Sequence, residues 1–191
     1  GGRVLGIVNP SRTSPNLSTK PGQLHKTLAT CQFIERNENV IFIGQPGTGK
    51  SHLSVALGMK ACQADYSVRF TTIHDLAATL RASMADHTTE ACIQQFVEPD
   101  LVILDELGFT PLDPLLADAF YRIVASRYEQ SSTIITSNKS FESWAEVFPD
   151  SVIASAILDR LVHHAHLVPI VGDSYRMKNI TARQKGGGST A

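Results

Sequence analysis

What this sequence lacks narrows it before any motif is read. No stretch approaches the ~18 consecutive apolar residues of a membrane-spanning helix, so a helical membrane protein is not expected. The opening residues do not read as a charged segment followed by an apolar one, so no secretory leader is expected. Only three cysteines are present, Cys31, Cys62 and Cys92, and no two of them stand at the C-x-x-C spacing of a zinc or redox pair. An odd count without a framework predicts buried, reduced thiols and a cytoplasmic setting. No internal repeat is visible. With 191 residues, 42% of them hydrophobic, the chain suits one α/β domain with a sizeable core.

Net charge is also nearly lacking, at −1, but the balance is uneven. Residues 1–30 and 176–191 each carry four basic side chains and no acid, whereas 31–175 hold 9 basic against 18 acidic ones. Basic ends on an acidic body fit a polyanionic partner such as nucleic acid, and equally fit solvated tails. The first 22 residues, with Pro10, Pro15 and Pro21, read as an extended segment whose best strand is Val4–Val8. Residues 179–191 read as a flexible basic tail.

Against these shortages one stretch is dense with information. Val40-Ile41-Phe42-Ile43 reads as a buried strand, and a helical pattern resumes at Lys50. Between them Gly44-Gln45-Pro46-Gly47-Thr48-Gly49-Lys50-Ser51 fits G-x-x-x-x-G-K-[ST]. Glycines let backbone N–H groups turn inward onto phosphate oxygens. The helix start adds its positive end. Lys50 supplies a point charge for the outer phosphates, and the Ser51 hydroxyl is a candidate Mg²⁺ ligand. The candidate nucleotide-binding set is Gly44, Pro46, Gly47, Thr48, Gly49, Lys50, Ser51 and His52.

Elsewhere strands and helices alternate. Helices are expected at Gln23–Arg36, Lys50–Ala64, His74–Ala85, Glu90–Val97, Leu115–Tyr128 and Ile153–His163, with a short one at Phe141–Val147. Strands are expected at Ser67–Thr72, Leu101–Leu104, Ser132–Asn138 and Leu167–Val171, where Pro169 suits an edge or bulge. Early strands apolar on both faces predict a mostly parallel five-stranded sheet covered on both sides, a three-layer αβα sandwich.

Asp105 and Glu106 follow four apolar residues, which puts both acids at a strand's C-terminal end, where ligands sit in open α/β folds. Asp105 is a second candidate Mg²⁺ ligand, and Glu106 a candidate base for an attacking water. Asn138 ends the next apolar strand and either orients that water or forms an ordinary turn. Arg160 and Arg176 are each open to two readings, a surface arginine or a charge for a phosphate. His163, His164 and His166 tempt a metal reading, but no acid or cysteine stands at ligand spacing in the sequence. Trp144, near Phe141 and Phe148, suits packing or base stacking.

The segments GQPGTGKSHLSVALG, YSVRFTT, DLVILDELGFTPLD, RYEQSSTIITSN, WAEVFPDSVIASAILDRLVHHAH and GDSYRMK, in this order, resemble the IstB-like family. These are AAA+ ATPases that assist insertion-sequence transposition and are related to the helicase loader DnaC. The resemblance covers about residues 24–178 and implies an AAA+ domain over 23–178, with ATP and Mg²⁺ as cofactors. It further implies DNA, duplex by preference, a transposase and copies of the same chain as partners. It makes Lys50 and Ser51 the Walker A residues, Asp105 and Glu106 the Walker B pair, Asn138 the sensor and Arg160 an arginine finger given to a neighbour. Arg176 matches a late arginine that reaches nucleotide or neighbour. The resemblance fails before Gln23, where members carry a helical region that contacts partners or DNA, and no lid domain is expected after the core. A helicase loader and a small-molecule kinase are the competing readings. The pair Asp105-Glu106 with Asn138 suits water attack better than transfer to a metabolite. Lys139, Arg69 and Arg81 are candidate DNA contacts.

Overall fold

The computed structural model describes residues 3–4 and 27–172. The strand expected around Val40 is the middle of the molecule: β2 (Asn39–Gly44) buries Val40, Ile41 and Phe42 almost fully. On one side it pairs with β5 (Ser132–Ser137), followed by β4 (Leu101–Leu107) and β3 (Val68–Thr72). On the other side stands β6 (Ala165–Val171). These five strands are all parallel. A two-residue strand, β1 (Arg3–Val4), adds antiparallel to the outer side of β6 at Ile170 and Val171. Among the described residues the outer side of β6 is paired only at Ile170 and Val171, and Pro169 stands just before them, consistent with the edge preference of proline.

Alternation along β2 divides the core. Val40 and Phe42 face α1 (Gln32–Glu35) and α2 (Lys50–Gln63), with Phe33, Ile34, Leu57 and Ala61. Ile41 faces the layer made by α3 (Ile73–Ala85), α4 (Thr89–Val97), α5 (Pro114–Arg127) and α6 (Ser151–His163). Two helical layers around one parallel sheet form the expected αβα sandwich. Helix starts are set locally. Asp113 accepts the Leu116 N–H at 2.8 Å ahead of Pro114, and Asp150 accepts those of Val152 and Ile153 at 2.7 and 3.0 Å.

Several expectations need correction. The helix expected over Gln23–Arg36 is interrupted: Cys31 adopts φ 59°, a left-handed conformation, and the helix restarts only at Gln32. Thr30, whose hydroxyl donates to the Thr27 carbonyl at 2.7 Å, closes the preceding turn. Residues 23–26 lie outside the described residues. The Phe141–Val147 helix is a single 3-10 segment, Phe141–Glu146. Trp144 is fully buried and its indole N–H reaches the Lys139 carbonyl at 3.3 Å, so it packs and cannot stack on a base. Cys62 is exposed, unlike Cys31 and Cys92. Of the strand expected at Val4–Val8 only Val4 is described, and the segments 1–22 (beyond Arg3–Val4) and 179–191 lie outside the described residues. No helix among the described residues is long and apolar enough to cross a membrane.

Candidate nucleotide site

The C-terminal ends of β2, β5 and β4 lie side by side, because all three strands run the same way. That edge collects the loop after Gly44, the Asp105-Glu106 pair and Asn138. Gly44 is packed so tightly on β6 that an added Cβ would lie 2.2 Å from the Ile170 carbonyl oxygen. Beyond it Gly47 and Gly49 take φ of 78° and 97°, the region that costs other residues strain. Thr48 closes the turn by donating its hydroxyl to the Gln45 carbonyl at 2.8 Å. Lys50, the first residue of α2, is buried and curls back to donate to the carbonyls of Gly44 and Gln45 at 2.7 and 2.9 Å. Its ammonium therefore stands within the curve of the loop. No acid occupies the first turn of α2, so nothing local offsets the positive helix end. Ser51 is half-buried beside Lys50, whereas Pro46 and His52 are exposed.

Asp105 and Glu106 lie next to each other on β4 yet in different surroundings. Asp105 is 4% exposed, and Glu106 is open to solvent. The pairing of β4 with β5 slips between Leu104 and Leu107, and Glu106 takes φ 68° at the slip. This bulge re-aims the backbone at the strand end. Thr136 of β5 holds both acids. Its hydroxyl donates to Asp105 Oδ1 in a short hydrogen bond and accepts the backbone N–H of Glu106 at 2.9 Å. Thr136 carries no distinct signal in the sequence, because β5 also holds Ser132, Thr133 and Ser137 and only its place two positions before Asn138 sets it near the site. Asn138 follows Ser137, whose hydroxyl donates to the Leu107 carbonyl at 2.8 Å and so ties the two strand ends together. The amide oxygen of Asn138 is buried and has no hydrogen-bond partner among the described residues. Such an acceptor is costly, and sites that receive a ligand are where such costs are found.

The remaining candidates are not brought to this edge. Arg160 lies on α6, donates to the Ala156 carbonyl at 2.8 Å and sits 5.4 Å from the Tyr121 ring centroid. Arg176 lies outside the described residues. The cations proposed for DNA are engaged: Lys139 with Glu146 at 3.0 Å, Arg81 with Asp113, and Arg69 over the Phe96 ring at 4.5 Å. All three histidines are paired to acids far away in sequence. His166 meets Glu38 at 2.7 Å, and His163 and His164 share Glu129.

Similarity to known proteins agrees with this architecture. The structure of the protein titled DnaI superposes with a TM-score of 0.67 at 21% identity, covering 86% of this chain and 90% of that one. Replication initiator DnaA bound to AMPPCP and single-stranded DNA gives 0.65 at 22% identity, over 86% of this chain and 51% of that one. At such identities the likeness is one of fold, that of AAA+ P-loop proteins. Sequence relatives are nearer. The ATP-binding protein of insertion sequence IS5376 from Geobacillus stearothermophilus is 43% identical over 153 residues, 80% of this chain and 61% of that protein. Its counterpart from insertion sequence IS21 of Pseudomonas aeruginosa is 46% identical over 153 residues, 80% of this chain and 58% of that protein. The chain therefore spans about three fifths of the length of these relatives. The family described as IstB-like ATP binding protein matches residues 16–183, a span that takes in the P-loop, Asp105-Glu106 and Asn138 together. On that match the chain belongs to the IstB-like ATP-binding proteins, within the AAA+ fold.

Proposed function

We propose that the protein hydrolyses ATP with Mg²⁺, assembles with copies of itself on DNA, and in that form assists a transposase in the cytoplasm. The observation that carries the hydrolytic part is the pairing of a buried Asp105 with an exposed Glu106 through one hydroxyl, Thr136, at the edge shared with the P-loop. The donor set fits Mg²⁺, since the Ser51 hydroxyl and the Asp105 carboxylate are hard oxygens, and the ion there would neutralise charge on the phosphate oxygens. Backbone N–H groups from Gly47 to Ser51 bind the phosphates, and Lys50 shifts from the loop carbonyls to the outer phosphate oxygens. Glu106 accepts the proton of the attacking water, and the open amide oxygen of Asn138 orients that water by accepting its other O–H. His52 and Pro46 line the outer wall.

Arg160 has no contact with this chain's own P-loop in the structure. We assign it to the site of a neighbouring copy, where a guanidinium adds the charge that phosphoryl transfer requires. Arg176 belongs to the same intersubunit contact. ATP between copies of the AAA+ domain, which we place at 23–178, then couples nucleotide state to assembly. The transposase partner is supported by relatives named for insertion sequences, and DNA by the DNA-bound DnaA neighbour. A helicase loader remains the second reading, favoured by the likeness to DnaI and to the DnaC helicase loader.

The decisive experiment measures ATP turnover and assembly with duplex and with single-stranded DNA at stated salt, for wild type and Glu106→Gln. The proposal expects duplex-stimulated turnover, abolished in Glu106→Gln while nucleotide binding persists. Turnover unaffected by DNA would defeat the transposition reading, and stimulation by single strands alone would favour the loader.

A further inference from the structure

His163 and His164, at the end of α6, are brought by folding against an acid some 35 residues earlier in the chain. Glu129 precedes β5, in the turn after α5, and the structure sets its carboxylate against both of them. Glu129 Oε1 lies 3.2 Å from His164 Nε2 and 3.7 Å from His163 Nδ1. One donor atom from each of the three side chains falls within 4.8 Å of the others, and no other such trio of His, Cys, Asp or Glu occurs among the described residues. We propose that Glu129, His163 and His164 form a binding site for a divalent transition-metal ion of the zinc class.

The spacing suits such an ion. Four-coordinate zinc holds nitrogen and carboxylate donors at ~2.0–2.2 Å, which places neighbouring donors ~3.3 Å apart on the tetrahedron. The two Glu129–histidine separations bracket that value, and the three donor atoms already lie within 4.8 Å of one another. Two imidazoles with one carboxylate form a borderline donor set that takes zinc, cobalt or nickel and discriminates against magnesium and calcium, which prefer all-oxygen shells. Each of the three side chains keeps 42–50% of its surface open, which leaves room for a water in the fourth position.

The supports are built before any ion arrives. Asn37 donates its amide to the Glu129 carbonyl at 3.0 Å, and the His164 carbonyl accepts the Asn39 N–H at 2.6 Å. Asn39 also grips α6 by donating its side-chain amide to the Leu161 carbonyl at 3.1 Å. Both ligand-bearing turns are thereby fastened to the segment leading into β2. The Tyr128 hydroxyl lies 2.8 Å from His163 Nδ1 and, with the ion in place, becomes a hydrogen-bond partner of Glu129 or of the bound water. The ion would bolt the turn before β5 to the last turn of α6. The site occupies the edge of the sheet opposite the P-loop, so it stands or falls independently of how ATP is used.

The test uses the full chain without a histidine tag, stripped with a chelator and titrated with Zn²⁺ by calorimetry and with Co²⁺ by visible absorption. One equivalent of Co²⁺ per chain is expected, with ligand-field bands of low-symmetry nitrogen and oxygen coordination. Glu129→Gln, His163→Gln and His164→Gln should each weaken Zn²⁺ at least ~10-fold, the loss typical of even a supporting partner. Zn²⁺ should also raise the melting temperature of wild type by more than that of any of the three variants at the same concentration. All three side chains are solvent-exposed, and binding of an ATP analogue at the far edge checks that each variant is folded. If a histidine variant fails that check, Glu129→Gln decides alone. Absence of stoichiometric binding in wild type would overturn the proposal. Binding that survives unchanged in the folded variants would overturn it too, as an adventitious ion only.

Discussion

The two edges of the central sheet are built on opposite plans. At the N-terminal edge most polar groups are paired across segments, with the buried Ser131 hydroxyl an exception. Asn39 bridges α6 and β5, accepting the Thr133 N–H at 2.9 Å with its side-chain oxygen. Asp100 accepts both the N–H and the hydroxyl of Ser67, at 2.8 and 2.6 Å. Arg127, 2% exposed, donates six hydrogen bonds: to the carbonyls of Phe96, Val97, Pro99, Asp100 and Ser132, and to the Thr133 hydroxyl. Burial pushes its guanidinium pKa down to about 10, so it remains charged at neutral pH. At the C-terminal edge Gly47, Gly49, Glu106 and Gly108 all have positive φ, and the buried amide oxygen of Asn138 has no partner among the described residues. Positive φ is not confined to this edge, since Asn37, Asp65 and Glu129, ahead of β2, β3 and β5, adopt it too. What sets the C-terminal edge apart is the run of glycines in the phosphate loop and an open acceptor beside two acids.

Breaking the paired edge should have the largest effect. Arg127→Leu strands several carbonyls at once and should lower stability by about 3–5 kcal/mol, the scale for removing one side of a buried charged network. Urea unfolding measures it. A loss under ~1 kcal/mol, that of a single net hydrogen bond, would mean the six bonds are dispensable. Breaking the strained edge should act on turnover instead. Thr136→Val removes the donor to Asp105 and the acceptor of Glu106 N–H, a loss of about 1.5–3 kcal/mol for a bond to a charged group. Turnover of ATP should fall ~10- to 100-fold at nearly unchanged nucleotide affinity, and Thr136→Ser should restore it. Equal losses in affinity and turnover would make Thr136 a packing residue and no more.

The smallest effect sharpens the contrast by locating a charge outside both edges. Asp113 caps α5, and its carboxyl is held below the usual carboxylate range, first by the Leu116 N–H and then by Arg81. A folded-state pKa that is depressed contributes stability above the unfolded value, near 3.9, and that stability disappears as pH falls through the folded one. Asp113 and Arg81 are largely solvated, which screens the pair. Asp113→Asn keeps a capping oxygen and should cost about 0.5 kcal/mol at pH 7, with the difference vanishing once the pH has fallen below the folded-state pKa of Asp113. A difference that persists in acid would assign the effect to packing.

Much of this was legible in the sequence because it is local. The P-loop, the apolar strands and the acids at the end of β4 are each written within a dozen consecutive residues. The interruption at Cys31 was not legible, because the three- and four-residue apolar spacing passes through it. Thr136 and Arg127 were also missed, since their roles consist of contacts with segments about 30 residues away. Glu129 is the clearest case. The histidines were visible and their acid was not, because only the packing of α5 and α6 on one face of the sheet brings the two turns together.

The close approach of Gly44 to Ile170 has a mechanical consequence. In the ladder Ile170 is flanked by Gly44 on one side and by Val4 of the outermost strand on the other. One residue therefore separates the first glycine of the phosphate-binding loop from the rim of the sheet. With 2.2 Å between a virtual Cβ and the Ile170 oxygen, that join has no slack. A strand laid along the rim therefore lies one residue away from the phosphate-binding loop, as a finger lies on a string behind its fret.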